Sequence, residues 1–136
     1  MDRKQFLKST LLLGGLGLAG SALLIESCKK SSNTAAVNFT LDLSQSVNSA
    51  LNSVGGSVAS NNVVVICTAT NTWVALSQLC THQGCSLSYS KSAKQLICPC
   101  HGGTFDTSGN VVSGPPPSAL TKYTVTKSGT VLTITG

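Results

Sequence analysis

Both histidines of the chain and four of its six cysteines fall in two short boxes, and any fold must bring those boxes together. The first reads Cys80-Thr81-His82-Gln83-Gly84-Cys85 and the second Cys98-Pro99-Cys100-His101-Gly102. Chance does not keep every imidazole of a chain within bonding reach of its thiols. Soft thiolates mixed with borderline imidazoles suit iron–sulfur or zinc. A structural zinc site usually pairs two closely spaced cysteines with two closely spaced histidines, or with a second cysteine pair. Here each box instead offers one Cys and one His, as Cys80-x-His82 and Cys98-x-x-His101. Two cysteines and two histidines are the ligand set of a [2Fe–2S] centre with thiolates on one iron and imidazoles on the other. Zinc in the same place, as a non-redox structural module, is the alternative.

The paired boxes resemble those of the Rieske iron–sulfur proteins, specifically the disulfide-containing branch that serves cytochrome bc-type complexes. Gly114-Pro115-Pro116-Pro117 is similar to the proline loop of that branch, and the resemblance runs from roughly Val37 to the C-terminus. It implies one [2Fe–2S] cluster per chain, with Cys80 and Cys98 on a buried iron and His82 and His101 on an iron nearer solvent. It also implies a disulfide between Cys85 and Cys100 clasping the two ligand loops, with the proline loop covering the cluster from a third side. The fold implied is all-β, an antiparallel β-sandwich or barrel with a cluster-binding subdomain. Two neutral imidazoles in place of two thiolates leave less negative charge on the cluster, so its potential lies above that of all-thiolate clusters. Oxidation makes the outer N–H groups of such imidazoles more acidic, so electron uptake is coupled to proton uptake at His82 or His101.

Three positions depart from the quinol-oxidising members of that family. Those relatives continue the second box with a serine and then an aromatic hydroxyl, which donate hydrogen bonds to a bridging sulfide and to a ligand thiolate. Here the positions are Gly103 and Phe105. Fewer donors to the sulfurs stabilise the reduced, more negative cluster less, which implies a lower potential than in those relatives. Thr104 is the hydroxyl placed to substitute in part. The third departure is Gln83, a polar residue where a leucine often packs against the quinone-site subunit.

A chain of 136 residues accommodates one domain once a leader is set aside. With aromatics at 4% and charged residues at 10%, a large core is hard to build, and a cluster and a disulfide compensate. The net charge of +5 is not a surface patch: Arg3, Lys4, Lys8, Lys29 and Lys30 sit in or beside the leader, and Lys91, Lys94, Lys122 and Lys127 are scattered. Nucleic-acid binding, which needs clustered cations, gains no support.

Met1 to Lys8 is basic and Leu11 to Ile25 apolar, the layout of an export signal over residues 1–27. The apolar stretch is shorter than the ~20 residues of a spanning helix. Arg3-Lys4-Gln5-Phe6-Leu7-Lys8 resembles a twin-arginine signal with Lys4 in place of the second arginine, which suits a protein exported after its cofactor is inserted. Ile25-Glu26-Ser27-Cys28 resembles a loose lipoprotein box, with Cys28 lipidated and residues 28–36 as tether to a domain over residues 37–136. One lipid anchor with Lys29 and Lys30 near anionic headgroups, or an uncleaved leader, would hold the domain at a membrane surface.

Within the domain, Asn38–Leu43 alternates as a strand with Phe39, Leu41 and Leu43 on one face. Ser44–Ser60 is polar, with Val47, Leu51 and Val54 apolar, and holds a short helical turn ended by Gly55-Gly56. Val63–Cys67 is a continuous β-branched run and reads as a buried strand, with Cys67 and Trp73 as core residues. Thr72–Leu76 is the strand leading into the first box. A hairpin turning at Lys91–Lys94 joins the boxes, and Leu120–Val125 pairs with Thr130–Ile134 through Ser128-Gly129. No Ser/His/Asp set or spare histidine is present, so the domain reads as a carrier rather than a catalyst.

The expected function is one-electron transfer at the periplasmic face of a bacterial cytoplasmic membrane, or at another envelope membrane. The redox partner is a cytochrome or a quinol-oxidising subunit. Two settings fit: a subunit of a quinol–cytochrome c oxidoreductase, or a free-standing tethered carrier. A ferredoxin of an oxygenase system is disfavoured, because such relatives lack the Cys85/Cys100 pair and an export leader.

Overall fold

The computed structural model describes residues 36–136; the expected signal, most of the tether and Cys28 lie outside the described residues. Ten strands and one short 3₁₀ helix follow in order: β1 (Asn38–Asp42), the 3₁₀ helix (Ser46–Asn52), β2 (Ser57–Ser60), β3 (Val63–Ala69), β4 (Thr72–Ser77), β5 (Ser88–Ser90), β6 (Gln95–Ile97), β7 (Thr104–Asp106), β8 (Val111–Ser113), β9 (Lys122–Ser128) and β10 (Val131–Thr135). They form a six-stranded sheet, β1-β10-β9-β4-β3-β2, and a four-stranded sheet, β5-β6-β7-β8. All pairings are antiparallel. The architecture is the all-β one that the resemblance implied.

The smaller sheet is an insertion into the larger. β4 and β9 are neighbours, with Ala75 opposite Tyr123 and Leu76 opposite Lys122. The Ser77 N–H donates to the Thr121 carbonyl at 2.9 Å. Everything between those two residues therefore leaves and re-enters the large sheet at one point, and both boxes and the proline loop lie in that excursion.

β3 explains how the two sheets share apolar material. Side chains alternate across a strand, so a run without polar interruption must be covered on both faces. Val63 and Val65 pack with Leu41, Leu43, Leu51, Ala75, Leu132 and Ile134 inside the large sheet. Val64 and Ile66 face the other way, onto Leu76, Leu87, Leu96, Phe105, Leu120 and the two box cysteines Cys80 and Cys98. The run Val63–Cys67 is buried along its whole length.

Three strands, β2, β7 and β8, were not read from the sequence. β2 is short and polar, and its signal lies in its turn: Asn61 and Asn62 both adopt positive φ, 53° and 60°, and join Ser60 to Val63. That is the two-residue hairpin connection in which asparagine is favoured. β8 is a three-residue edge strand hidden between the Asp106–Asn110 turn and the proline loop. The segment expected to be helical is a 3₁₀ turn pinned by side chains: Asn48 Nδ2 donates to the Asp42 carbonyl at 2.9 Å, and Asn52 Nδ2 to the Leu43 carbonyl at 3.0 Å. Of its three apolar residues only Leu51 is buried, while Val47 is 74% and Val54 51% exposed. Trp73 packs over this core and donates Nε1–H to the Leu51 carbonyl at 2.9 Å.

Leu51→Ala should lower stability by about 2–5 kcal/mol, the usual cost of a large-to-small change in a filled core, whereas Val47→Ala should stay within about 0.5 kcal/mol. Urea unfolding of the two variants makes the comparison, and equal losses would contradict the assigned packing. Cys67 is buried with its Sγ 3.3 Å from the Ala69 carbonyl, and burial pushes its thiol pKa up. Its raised folded-state pKa means that the neutral thiol's contribution is fully present below the ordinary thiol pKa and is lost as pH rises through the folded value. Peptide mapping after iodoacetamide treatment at pH 8 should find Cys67 unmodified in the native protein and modified once it is denatured.

Candidate metal centre

The two boxes fold into loops of equal length and matched bonding. The first spans the bridge between Leu79 and Ser86, and the second spans the pair Ile97 and Thr104. In each, the leading cysteine N–H donates to the carbonyl five residues on: Cys80 to Cys85 at 2.8 Å, and Cys98 to Gly103 at 2.7 Å. In each, the N–H four residues on returns to the cysteine carbonyl, from Gly84 at 2.8 Å and from Gly102 at 3.0 Å. Gly84 and Gly102 take φ of +73° and +72°, with nothing within 4 Å of an added Cβ. Conformation alone requires glycine there, since a side chain at positive φ is strained even in open space.

The matched loops place like residues alike. Cys80 and Cys98 head their loops at the core side and are 3% and 2% exposed, as members of the apolar cluster beneath. His82 and His101 are exposed, with ring centroids 4.9 Å apart and planes nearly perpendicular at 83°. The centre therefore has a sulfur end in the protein and a nitrogen end at the surface.

Burial is the largest influence on the Cys98 thiol and acts to raise it. The N–H groups of Cys100 and His101 and the Cys80 side chain outweigh burial, so the pKa lies below the usual cysteine value. N–H groups aimed at a sulfur favour its thiolate, and only the thiolate binds metal. The second loop thus favours the anionic form of the Cys98 sulfur.

Cys85 and Cys100 are joined by a disulfide across the two loops, 15 residues apart in sequence. The sulfurs of Cys85, Cys98 and Cys100 lie within 4.8 Å of one another. The bond between two of them removes both as thiolate donors, so this proximity shows the clasp lying against Cys98 and is not itself a three-sulfur metal site. The donors expected from the sequence are two buried free thiols, Cys80 and Cys98, and two exposed rings, His82 and His101, that lie side by side. Cys67, the remaining free cysteine among the described residues, is in the core as expected and away from both loops in sequence.

The proline loop is held to both boxes. Thr81 Oγ1 donates to the Ser118 carbonyl at 2.7 Å, and Gly114 and Pro116 lie directly against Gly103. The Thr104 hydroxyl is engaged elsewhere, 2.9 Å from Ser113 Oγ across β7 and β8.

Two buried thiols and two exposed imidazoles on adjoining loops make a donor set suited to an iron–sulfur or zinc centre. The chain belongs to the Rieske [2Fe–2S] domain family, whose model matches residues 39–124. Over 45 residues, 33% of this chain and 25% of the relative, it is 49% identical to the cytochrome b6-f complex iron-sulfur subunit of Prochlorococcus marinus strain AS9601. It is 44% identical to the carotenoid phi-ring synthase of Chlorobaculum tepidum over 62 residues, 46% of this chain and 10% of that one. The chain thus spans a quarter or less of the length of these two relatives. Among solved structures it resembles the plasma membrane Rieske protein PetC3 from Synechocystis PCC 6803, with a TM-score of 0.52 and 28% identity over 57% of this chain and 82% of that one. A chain of a hyperthermophilic respiratory complex III shares the fold at 22% identity and a TM-score of 0.52, over 81% of this chain and 82% of that one.

A [2Fe–2S] cluster is the family's cofactor, and the donors present fit it: two thiols, one held toward its anion, and two imidazoles. The clasp should matter more to the cluster than to the scaffold, because the loops it joins carry the candidate donors while the strands have their own ladders. In the chain-entropy model a bridge closing about 15 residues contributes about 3 kcal/mol. Cys85→Ser should release iron several times faster than the parent under chelator challenge, while circular dichroism still reports the native β signal. A full, stable cluster in that variant would show that the clasp is dispensable.

Proposed function

We propose that this chain is a one-electron carrier in which Cys80 and Cys98 hold the inner iron of a [2Fe–2S] cluster and His82 and His101 the outer iron. The observation that carries this reading is the polarity of the centre, with both thiols in the core and both imidazoles exposed side by side. When bound, the cluster supplies a one-electron couple whose potential is raised by its neutral ligands. The chain's own residues supply the rest. The buried sulfur end, covered by Leu87, Leu96 and Phe105, keeps water from the thiolates. The histidine edge at the surface is the contact through which an electron enters and leaves. The ring N–H groups of His82 and His101 that face solvent are where a proton leaves on oxidation and returns on reduction.

The relatives' names support a membrane setting: one is a subunit of a cytochrome b6-f complex and another a plasma membrane Rieske protein. In this reading residues 1–27 are an export signal, Cys28 carries a lipid, residues 28–36 tether the domain over residues 37–136, and electrons pass to or from a membrane-bound redox partner at the outer face. Gln83, exposed at the tip of the first loop, gives that tip a polar end. This favours a free-standing tethered carrier over a subunit seated permanently in a quinone pocket.

An optical redox titration of the iron-loaded chain at several pH values tests the electron-carrier reading. The potential should fall as pH rises near and above neutrality, the direction required when the oxidised form loses a proton from an imidazole. A colourless, folded protein carrying zinc would overturn it. For the anchor, cell fractionation should find the full-length protein with membranes and the Cys28→Ser protein in the soluble fraction; identical partitioning of the two would remove Cys28 from the scheme.

A further inference from the structure

The sulfurs of the two loops are of two kinds: Cys85 and Cys100 are bonded to each other, while Cys80 and Cys98 are free thiols. The Cys98 sulfur lies within 4.8 Å of both sulfurs of the clasp. A disulfide stays as it is until a thiolate reaches one of its sulfurs. Here a thiol of the same chain sits beside it, in Cys98-Pro99-Cys100. Cys98 is 2% exposed, so thiols in solution reach it poorly and the clasp is the disulfide within its reach.

Cys98 has two sulfurs to choose from, and the products differ. Attack on Cys100 would bridge two residues separated only by Pro99. That closes a very small ring around a backbone whose φ is already fixed, which a disulfide tolerates poorly. Attack on Cys85 gives a bridge that still spans the two loops, and its leaving group is Cys100. Cys100 is exposed whereas Cys85 is half-buried, so the thiolate that leaves is received by water.

We propose that Cys98 is the internal nucleophile of the clasp: in the cluster-free chain it exchanges into the disulfide, forming Cys85–Cys98 and releasing Cys100. The Cys98 thiol gives its proton to solvent and its sulfur bonds to the Cys85 sulfur. The Cys85–Cys100 bond breaks, and its electron pair leaves on Cys100, which regains a proton from solvent. One disulfide stands before and one after, so no oxidant or reductant takes part. The exchanged chain keeps its loops joined but has lost a core thiol, and the centre is closed to a new cluster. The inference rests on the ligand assignment proposed above at one point, that iron on the Cys98 sulfur holds it back from the clasp in the loaded chain.

The test strips iron from the loaded full chain with a chelator, without air or added thiol. The native chain is then alkylated with iodoacetamide and mapped unreduced by tandem mass spectrometry. The loaded chain should show Cys85–Cys100 with Cys100 unlabelled. The stripped chain should show Cys85–Cys98 with label on Cys100 raised several times, at a rate independent of protein concentration and with the native β signal retained in circular dichroism. Cys85–Cys100 persisting beside a free Cys98 would overturn the proposal, as would a Cys85–Cys98 bridge that forms only once the β signal is lost. Two variants separate the attacker from sulfide freed by the cluster. Cys98→Ser should keep Cys85–Cys100 closed, and opening at the parental rate would assign the attack to another nucleophile. Cys80→Ser, which retains Cys98 but lacks a donor of the cluster, should carry Cys85–Cys98 without any stripping. A parent chain that never shows a [2Fe–2S] absorption would instead overturn the ligand assignment, so the two failures are distinguishable.

Discussion

Cys80 and Cys98 are core residues of the same apolar cluster that joins the two sheets. This is the constraint on which the site depends. A thiolate in an apolar surrounding is costly unless N–H groups or a metal compensate it. The second loop meets that cost in part through the backbone N–H groups of Cys100 and His101, which favour the Cys98 thiolate. Stability of the insertion and readiness of the metal centre are therefore one property. The apolar packing of Leu87, Leu96 and Phe105 that covers the thiols also fixes the strands from which the loops spring.

The loops are held by independent devices of different chemical kinds. Hydrogen bonding within each loop sets its shape, and glycines at positive φ close the turn. The disulfide joins one loop to the other, and the proline loop is tied to both. Loops alone are the least stable parts of a fold, and these carry all the residues of the centre. Cross-linking them to one another, and seating a third loop on them, gives the site a rigidity that short strands of three residues do not provide. The same seating leaves no room for a side chain at Gly103, because Pro116 and Gly114 lie directly against it.

Much of the site was legible because ligand chemistry is carried by residue type and spacing. Six residues in two boxes marked the place of the centre and its metal class, and the long β-branched run at Val63–Cys67 announced a buried strand. Other elements were not legible. β2 is polar, and its existence depends on pairing with β3, so only its Asn61-Asn62 turn carried a local signal. The short helical turn expected in Ser44–Ser60 is present as the 3₁₀ helix pinned by Asn48 and Asn52, but the pattern of Val47, Leu51 and Val54 did not show that only Leu51 reaches the core. Those asparagine bonds go to the Asp42 and Leu43 carbonyls, at the end of β1 and just beyond it, which periodicity within the segment cannot reveal.

The sequence by itself determined which atoms could meet a metal, since thiol and imidazole donors are properties of side chains, and that the scaffold is β, since alternation and β-branching act locally. Tertiary structure decided which end of the centre is buried and where the Thr104 hydroxyl points. It also decided that Gly103 is filled by Pro116. Each of these depends on segments distant along the chain arriving at van der Waals contact, and close packing tolerates no extra carbon where two backbones touch.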